Sequence, residues 1–453
     1  MPSNSPLAPL PQSGSWRWPQ TPLRVSIDRR SLESADGTPF FFFADTAWFS
    51  IYKGTPDQWE SYLNKRVDQG FTVIQVQLLP FEWEALDPDG NHPFLDGDVT
   101  RPNEVYFARV DHFCQMAAER GLYVALFLIW MNGSQNQSSH FTTEQAAAFA
   151  RYAVRRFGAY PVLWSISGDG PYIRELEKWE AVGRAVEETD PYRHPTTNHL
   201  LPDMNWHFLF HSSPWFDFHM IQTGHGRGSF PDIAAVPAAY YALPGHKPVV
   251  NGEPMYEGHP ERKGGGEWAA EFTPEETRCA FWVSILSGAT MGHTYGGQGV
   301  WNWKVDGDTD RSVGGPGTGP VWFEAIERDG AAHCGLGARL LRSLPWWRLQ
   351  PTPERVQLDP PSNGPNGRAF CAMSDDTWVI YLPGAALDGP PGARHVIVKG
   401  LASHGQAQDW RAAWFNPRTG HQHDAGAVEL PGNLRWRSPD APSEEDWVML
   451  LRR

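Results

Sequence analysis

The chain has 453 residues, 41% of them hydrophobic and 20% charged, the balance of a globular protein long enough for two or three domains. Its 38 basic and 52 acidic side chains give a net charge of −14, which argues against nucleic acid as a partner because phosphate neutralisation needs a basic face. No stretch approaches the ~20 apolar residues needed to cross a bilayer, so no membrane span is expected.

Residues 1–22 are rich in Pro and Ser and read as an N-terminal arm. They lack the basic start and apolar run of a secretory signal. The four cysteines, Cys114, Cys279, Cys334 and Cys371, are scattered and form no CxxC pair. Together these features lead us to expect a cytoplasmic enzyme with reduced thiols and no disulfide framework.

From residue 23 to 346, short apolar runs alternate with helical patterns. The runs cover 40–45, 72–80, 123–130, 162–169, 195–199, 216–225, 247–254 and 289–301. Helical spacing covers 56–69, 103–120, 142–158, 173–189 and 273–287. Thr142 and Thr273 are N-cap residues with acids in the following turn, and Gly70, Gly121 and Gly158 stand where helices should stop. Eight nearly all-apolar strands separated by helices predict a parallel sheet covered on its outer face, closed as a (β/α)8 TIM barrel. Residues 347–453 change character. A stretch rich in Pro and Gly leads into alternating runs at 377–382, 395–398, 410–416 and 447–451, which predict an antiparallel β-sandwich.

In a TIM barrel the active site lies at the C-terminal ends of the strands. Asp169 and Glu253 each end an apolar run there, on strands four and seven, with Gly168 and Gly252 before them. Carboxylates at those two ends can point into one pocket, as glycoside hydrolysis requires. The alternative is that Asp169 caps a helix and Glu253 pairs with an Arg. Other polar strand ends supply Asp45, Asn132, Gln222 and His225. Asp45 either accepts from a sugar hydroxyl or is a buried structural acid. His225 either donates to the sugar or to Glu253, or is a satisfied core histidine. Trp48, Trp130, Tyr295 and Trp301 are candidates for stacking on a sugar ring, with core packing as the other reading. Glu257 lies beyond its strand and reads as a support to the site. Glu82 and Glu84 follow strand two in a loop and read as rim residues. Histidines cluster at 194–199 and 207–219, but no His-Glu-x-x-His helix appears, and neither metal nor cofactor is expected.

Phe43-Ala44-Asp45-Thr46-Ala47-Trp48, Gly70-Phe71-Thr72-Val73-Ile74-Gln75, Gly121-Leu122-Tyr123-Val124-Ala125-Leu126, Gly252-Glu253-Pro254-Met255-Tyr256-Glu257 and Gly292-His293-Thr294-Tyr295-Gly296 resemble the barrel motifs of apiosidase-like glycoside hydrolases, family 140. Ala413-Trp414-Phe415-Asn416-Pro417-Arg418-Thr419-Gly420 is similar to the β domain appended to that barrel, one labelled collagen-binding. The resemblance implies a retaining mechanism, with Asp169 as acid/base and Glu253 as nucleophile, and release of terminal apiose from plant glycans and glycosides. Family members often read Gly-Gly-Asp at strand four with a basic residue soon after. Here Ser167-Gly168-Asp169-Gly170-Pro171 stands instead, which puts the leaving group in question more than the chemistry. The missing leader points to small imported glycosides. Arabinofuranosides and galactofuranosides remain alternative substrates, and a non-catalytic carbohydrate-binding protein is the reading from another class.

Overall fold

Every apolar run predicted between 40 and 301 contains a strand. The computed structural model describes residues 22–131, 136–202, 209–262, 268–307, 319–361, 367–384, 387, 394–401, 410–429 and 435–453. The predicted arm, apart from residue 22, and Asn132 lie outside the described residues. The barrel strands are β1 (Phe42–Thr46), β2 (Val73–Gln77), β3 (Tyr123–Trp130), β4 (Val162–Gly168), β5 (Thr196–Thr197), β6 (His219–Gln222), β7 (Val249–Glu253) and β8 (Gly292–Tyr295). They form one parallel sheet in the order β5-β4-β3-β2-β1-β8-β7-β6. A parallel bridge between His199 and Met220 joins the two edge strands, so the sheet is nearly closed and His199 stands at the seam.

Helices α1 (Pro56–Asp68), α2 (Glu104–Glu119), α3 (Thr143–Phe157), α4 (Leu176–Thr189) and α6 (Pro274–Ser287) match the predicted patterns. Thr55, Thr142 and Thr273 close capping boxes with Gln58, Gln145 and Glu276, satisfying N–H groups that a helix start leaves bare. Two further helices lie outside the predicted patterns. In α5 (Asp232–Tyr241), Pro237 interrupts an Ala-rich run. In α7 (Asp329–Arg342), Gly335 permits close packing: a Cβ on it would lie 2.0 Å from the Gln69 carbonyl oxygen.

Beyond the barrel, β9 (Gln350–Pro351), β11 (Phe370–Met373), β12 (Thr377–Leu382), β14 (Arg411–Phe415), β15 (Gln422–Ala427) and β17 (Trp447–Arg452) build a six-stranded sheet. A second sheet holds β10 (Val356–Asp359), β13 (His395–Lys399) and β16 (Arg435–Arg437). Both are antiparallel and share a core around Trp378, Trp410, Trp414 and Trp436. The larger sheet packs on α6. There Arg278 grips Asp446 through two bonds of 2.7 and 2.8 Å, and Trp282 lies parallel to the ring of Tyr381. The four cysteines are buried and unpaired. Among the described residues no helix is long and apolar enough to cross a membrane.

Candidate active site

A strand points alternate side chains to opposite faces. That parity decides which strand-end residues reach the barrel mouth. On β4, Trp164 donates its indole N–H to Asp190 on the helix side at 2.9 Å, so Ser165, Ser167 and Asp169 share the opposite face. Asp169 has a φ of 28°, a left-handed conformation costing a non-glycine residue on the order of 1–3 kcal/mol and found most often at functional sites. Its neighbours have no room for side chains. A Cβ on Gly168 would lie 2.0 Å from the Trp130 ring, and one on Gly170 would lie 2.4 Å from the Met131 sulfur.

Strand β7 breaks the rule. Asn251 faces outward, donating to Ser284 of α6 at 2.9 Å, and strict alternation would send Glu253 the same way. The pairing with β6 shifts register between Asn251 and Glu253. An irregularity of this kind re-aims a side chain, and it returns Glu253 to the mouth. Gly252 permits the close approach, since a Cβ there would meet Met220 Cγ at 2.2 Å.

Two histidines hold the Glu253 carboxylate. His199 Nε2 stands 2.7 Å from Oε2 and His225 Nε2 stands 2.9 Å from Oε1. The Tyr256 hydroxyl accepts from the Trp48 indole N–H at 3.2 Å, and burial together with the nearby Glu253 charge raises its pKa. Burial works to raise the Glu253 pKa, but the hydrogen bonds from His199 and His225 outweigh it and hold the group well below the ordinary carboxylate range. Burial works to lower the His199 pKa, and the bond and charge of Glu253, helped by Asp169, raise it instead. His199 Nε2 is also 3.7 Å from Asp169 Oδ1. One atom each from Asp169, His199 and Glu253 falls within 4.8 Å of the others. The Trp48 and Trp130 rings meet edge to face at 5.1 Å and stand 6.0 and 6.1 Å from the His199 ring.

These three residues are the group that a cation would use. Two ligands sharing a tetrahedral zinc at about 2.1 Å stand about 3.4 Å apart. The 2.7 Å between His199 and Glu253 is a hydrogen-bond distance, so the cluster is built as a proton-bearing network.

Of the residues singled out in the sequence, Asp169, Glu253, His225, Trp48 and Trp130 come together here. Gln222 shares the inner face with Met220 and is buried beside Glu253, its pairing partner across the sheet. Trp301 lies at the edge, its ring 6.2 Å from Tyr256 and its N–H on Gln298 at 2.8 Å. Three expectations need correction. Asp45 does not face the mouth: parity turns it to the helix side, where it is fully buried, accepts from Tyr62 and pairs with Arg66 Nε at 2.7 Å. Tyr295 is outward as well and donates to Glu257 at 2.6 Å, while Gly330 N donates to the same carboxylate at 2.9 Å. Neither Tyr295 nor Glu257 faces a sugar. Asp45→Asn should cost about 3–5 kcal/mol, because it strands a buried Arg66 charge. A denaturation midpoint equal to wild type would show that the pair is not buried.

Sequence reasoning missed His199 and Tyr256. His199 ends the weak fifth strand, so the strand-end rule that found the others also applied to it. Tyr256 sat within a quoted motif without a role.

A parallel eight-stranded barrel with a carboxylate at the ends of β4 and β7, converging under a wall of indole rings, defines the class: this is a glycoside hydrolase, and its substrate is a carbohydrate. Residues 26–348 match the family model described as "Apiosidase-like, catalytic domain", and the chain belongs to the apiosidase-like family. Residues 397–452 match the model described as "Putative collagen-binding domain of a collagenase". Among solved structures, the fold is similar to a protein titled "Glycoside hydrolase", with a TM-score of 0.84 and 23% identity over 96% of this chain and 97% of that one. A glycoside hydrolase family 5 protein from Bacteroides vulgatus gives a TM-score of 0.82 at 23% identity, over 95% and 93%. An endo-1,4-beta-mannanase from Rhizomucor miehei gives 0.51 at 12% identity, over 72% of this chain and all of that one. No curated protein is matched by the sequence.

Proposed function

We propose that the protein is a retaining, exo-acting furanosidase that releases terminal β-linked apiose from plant-type glycosides. The observation that carries the mechanism is the approach of Asp169 and Glu253 oxygens to within 4.8 Å. Retaining enzymes place their carboxyl groups about 5–5.5 Å apart, whereas inverting enzymes need about 6.5–9.5 Å to admit a water between sugar and base. Family membership supports the sugar.

In the first step Asp169 donates a proton to the departing oxygen as Glu253 forms a bond to the anomeric carbon. The aglycone leaves as a neutral alcohol. Asp169, now a carboxylate, takes a proton from water as that water attacks the glycosyl ester, and Glu253 departs ionised. Both carboxyl groups end as they began. His199 and His225 orient the Glu253 carboxylate and keep it anionic, so it is ready to attack at neutral pH.

A purified sample assayed on nitrophenyl β-apiofuranoside, arabinofuranoside and galactofuranoside should turn over the apioside fastest. Turnover of a pyranoside with no furanoside cleaved would overturn the sugar assignment. His199→Ala provides a pH test. Glu253 must be ionised to attack, and its pKa is depressed in the folded protein, so the acidic limb of kcat/KM lies low. Losing one charge-assisted donor raises that pKa, moves the limb to higher pH, and lowers kcat/KM on the acid side by about 10–100-fold. An unmoved limb would mean that His199 does not sustain the Glu253 charge.

A further inference from the structure

We propose that Trp83 and His140 form a leaving-group seat whose occupant is a neutral aromatic aglycone. The inference rests on the reading of Asp169 as the proton donor, because the group it protonates must lie beside the loop that follows it.

The path from the carboxylates to this seat is a run of rings. Trp130 packs on the backbone of Gly168, next to Asp169. Phe81, in the loop after β2, has its ring 6.4 Å from Trp130. Two residues on, Trp83 is partly exposed, and the His140 imidazole lies flat upon it, with centroids 3.9 Å apart and planes 5° apart. His140 is exposed to solvent, and its partial burial lowers its pKa.

The seat is fixed to the catalytic wall. In the turn Gln137–His140, the Gln137 side chain accepts from Trp130 N at 2.7 Å and donates to the Pro80 carbonyl at 2.6 Å. Ser138 Oγ donates to Glu175 at 2.7 Å, and Lys178 donates to the Ser138 carbonyl at 3.2 Å. These bonds tie the ring pair to the ends of β2 and β3 and to the turn that follows Asp169. Ile173 in that turn and Leu176 at the start of α4 are 46% and 37% exposed.

Charge selects among occupants. Glu82 and Glu84 flank Trp83 in sequence, and the Glu84 charge acts on His140. Arg174 is the exposed cation on the facing turn. An anionic uronic acid unit would meet the Glu84 charge that already acts on His140, whereas a neutral ring would stack without desolvating a charge.

The test compares benzyl and methyl β-apiofuranosides, whose leaving alcohols are similar in acidity, so their ratio of kcat/KM reads the seat and not the chemistry. Wild type should favour the benzyl glycoside by about tenfold, the worth of one aromatic stack. The ratio should fall to about one in His140→Ala and in Trp83→Ala, the former removing only an exposed ring. A wild-type ratio near one, or a ratio that survives both substitutions, overturns the proposal. The same pair is run on arabinofuranose, so a chain that cleaves only those glycosides refutes apiose while still reporting the ratio. If neither sugar is cleaved, the furanosidase reading fails. Saturation transfer to benzyl alcohol, seen with wild type and lost in His140→Ala, then supports the seat, and equal transfer overturns it.

Discussion

Glu253→Gln is expected to lower kcat/KM on nitrophenyl β-apioside by on the order of 10⁴-fold or more, with the fold intact. The amide keeps the shape of the side chain but is no nucleophile, and it no longer suits both of the donors that hold the carboxylate, His199 and His225. The companion variant Glu253→Ala opens a small cavity beside the anomeric carbon. Azide added there should restore turnover and give a glycosyl azide of α configuration, because the anion attacks from the side the carboxylate vacated. An azide of β configuration would instead assign Glu253 the acid/base role, because the anion would then have displaced an intact glycosyl-enzyme from the leaving-group side. Wild-type rates in both variants would remove it from the chemistry altogether.

Asp169→Asn should separate substrates by how much help their leaving groups need. A proton donor contributes about 10²–10⁴-fold where the departing oxygen is basic. Methyl and benzyl glycosides should therefore lose activity on that scale, while dinitrophenyl glycosides, whose phenolates depart unaided, should lose little in the first step. Turnover of the activated substrates then becomes limited by hydrolysis of the glycosyl-enzyme, since the same residue serves as base. A burst of phenolate followed by a slow steady state is the expected record. Equal losses on activated and unactivated substrates would contradict the role of Asp169 as acid.

Much of this architecture was legible in the sequence because one-dimensional signals carried it. The eight apolar runs are the buried strands of a parallel sheet, and Thr142 and Thr273 mark helix starts through their caps. Asp169 and Glu253 stood out because each ends such a run beside a glycine. What the sequence could not convey was the face each residue takes. Asp45 and Tyr295 occupy the right ends of the right strands with the wrong parity, and they bind Arg66 and Glu257 behind the sheet. By simple alternation Glu253 would have joined them. A shift in register between Asn251 and Glu253 brings it inward, and nothing local in Asn251-Gly252-Glu253 distinguishes that from regular pairing. His199 escaped notice because β5 is two residues long and offers almost no periodicity. The ring pair of Trp83 and His140 joins two loops distant in sequence, and only the fold sets them together.

The most direct test of the account uses a 2-deoxy-2-fluoro-apiofuranoside with a good leaving group. The fluorine slows both steps, and the leaving group restores the first, so the glycosyl-enzyme accumulates. Digestion and mass spectrometry should find one sugar adduct per chain, as an ester on the peptide that carries Glu253. An adduct on Asp169, or no adduct from an enzyme whose released sugar has inverted configuration, would contradict it.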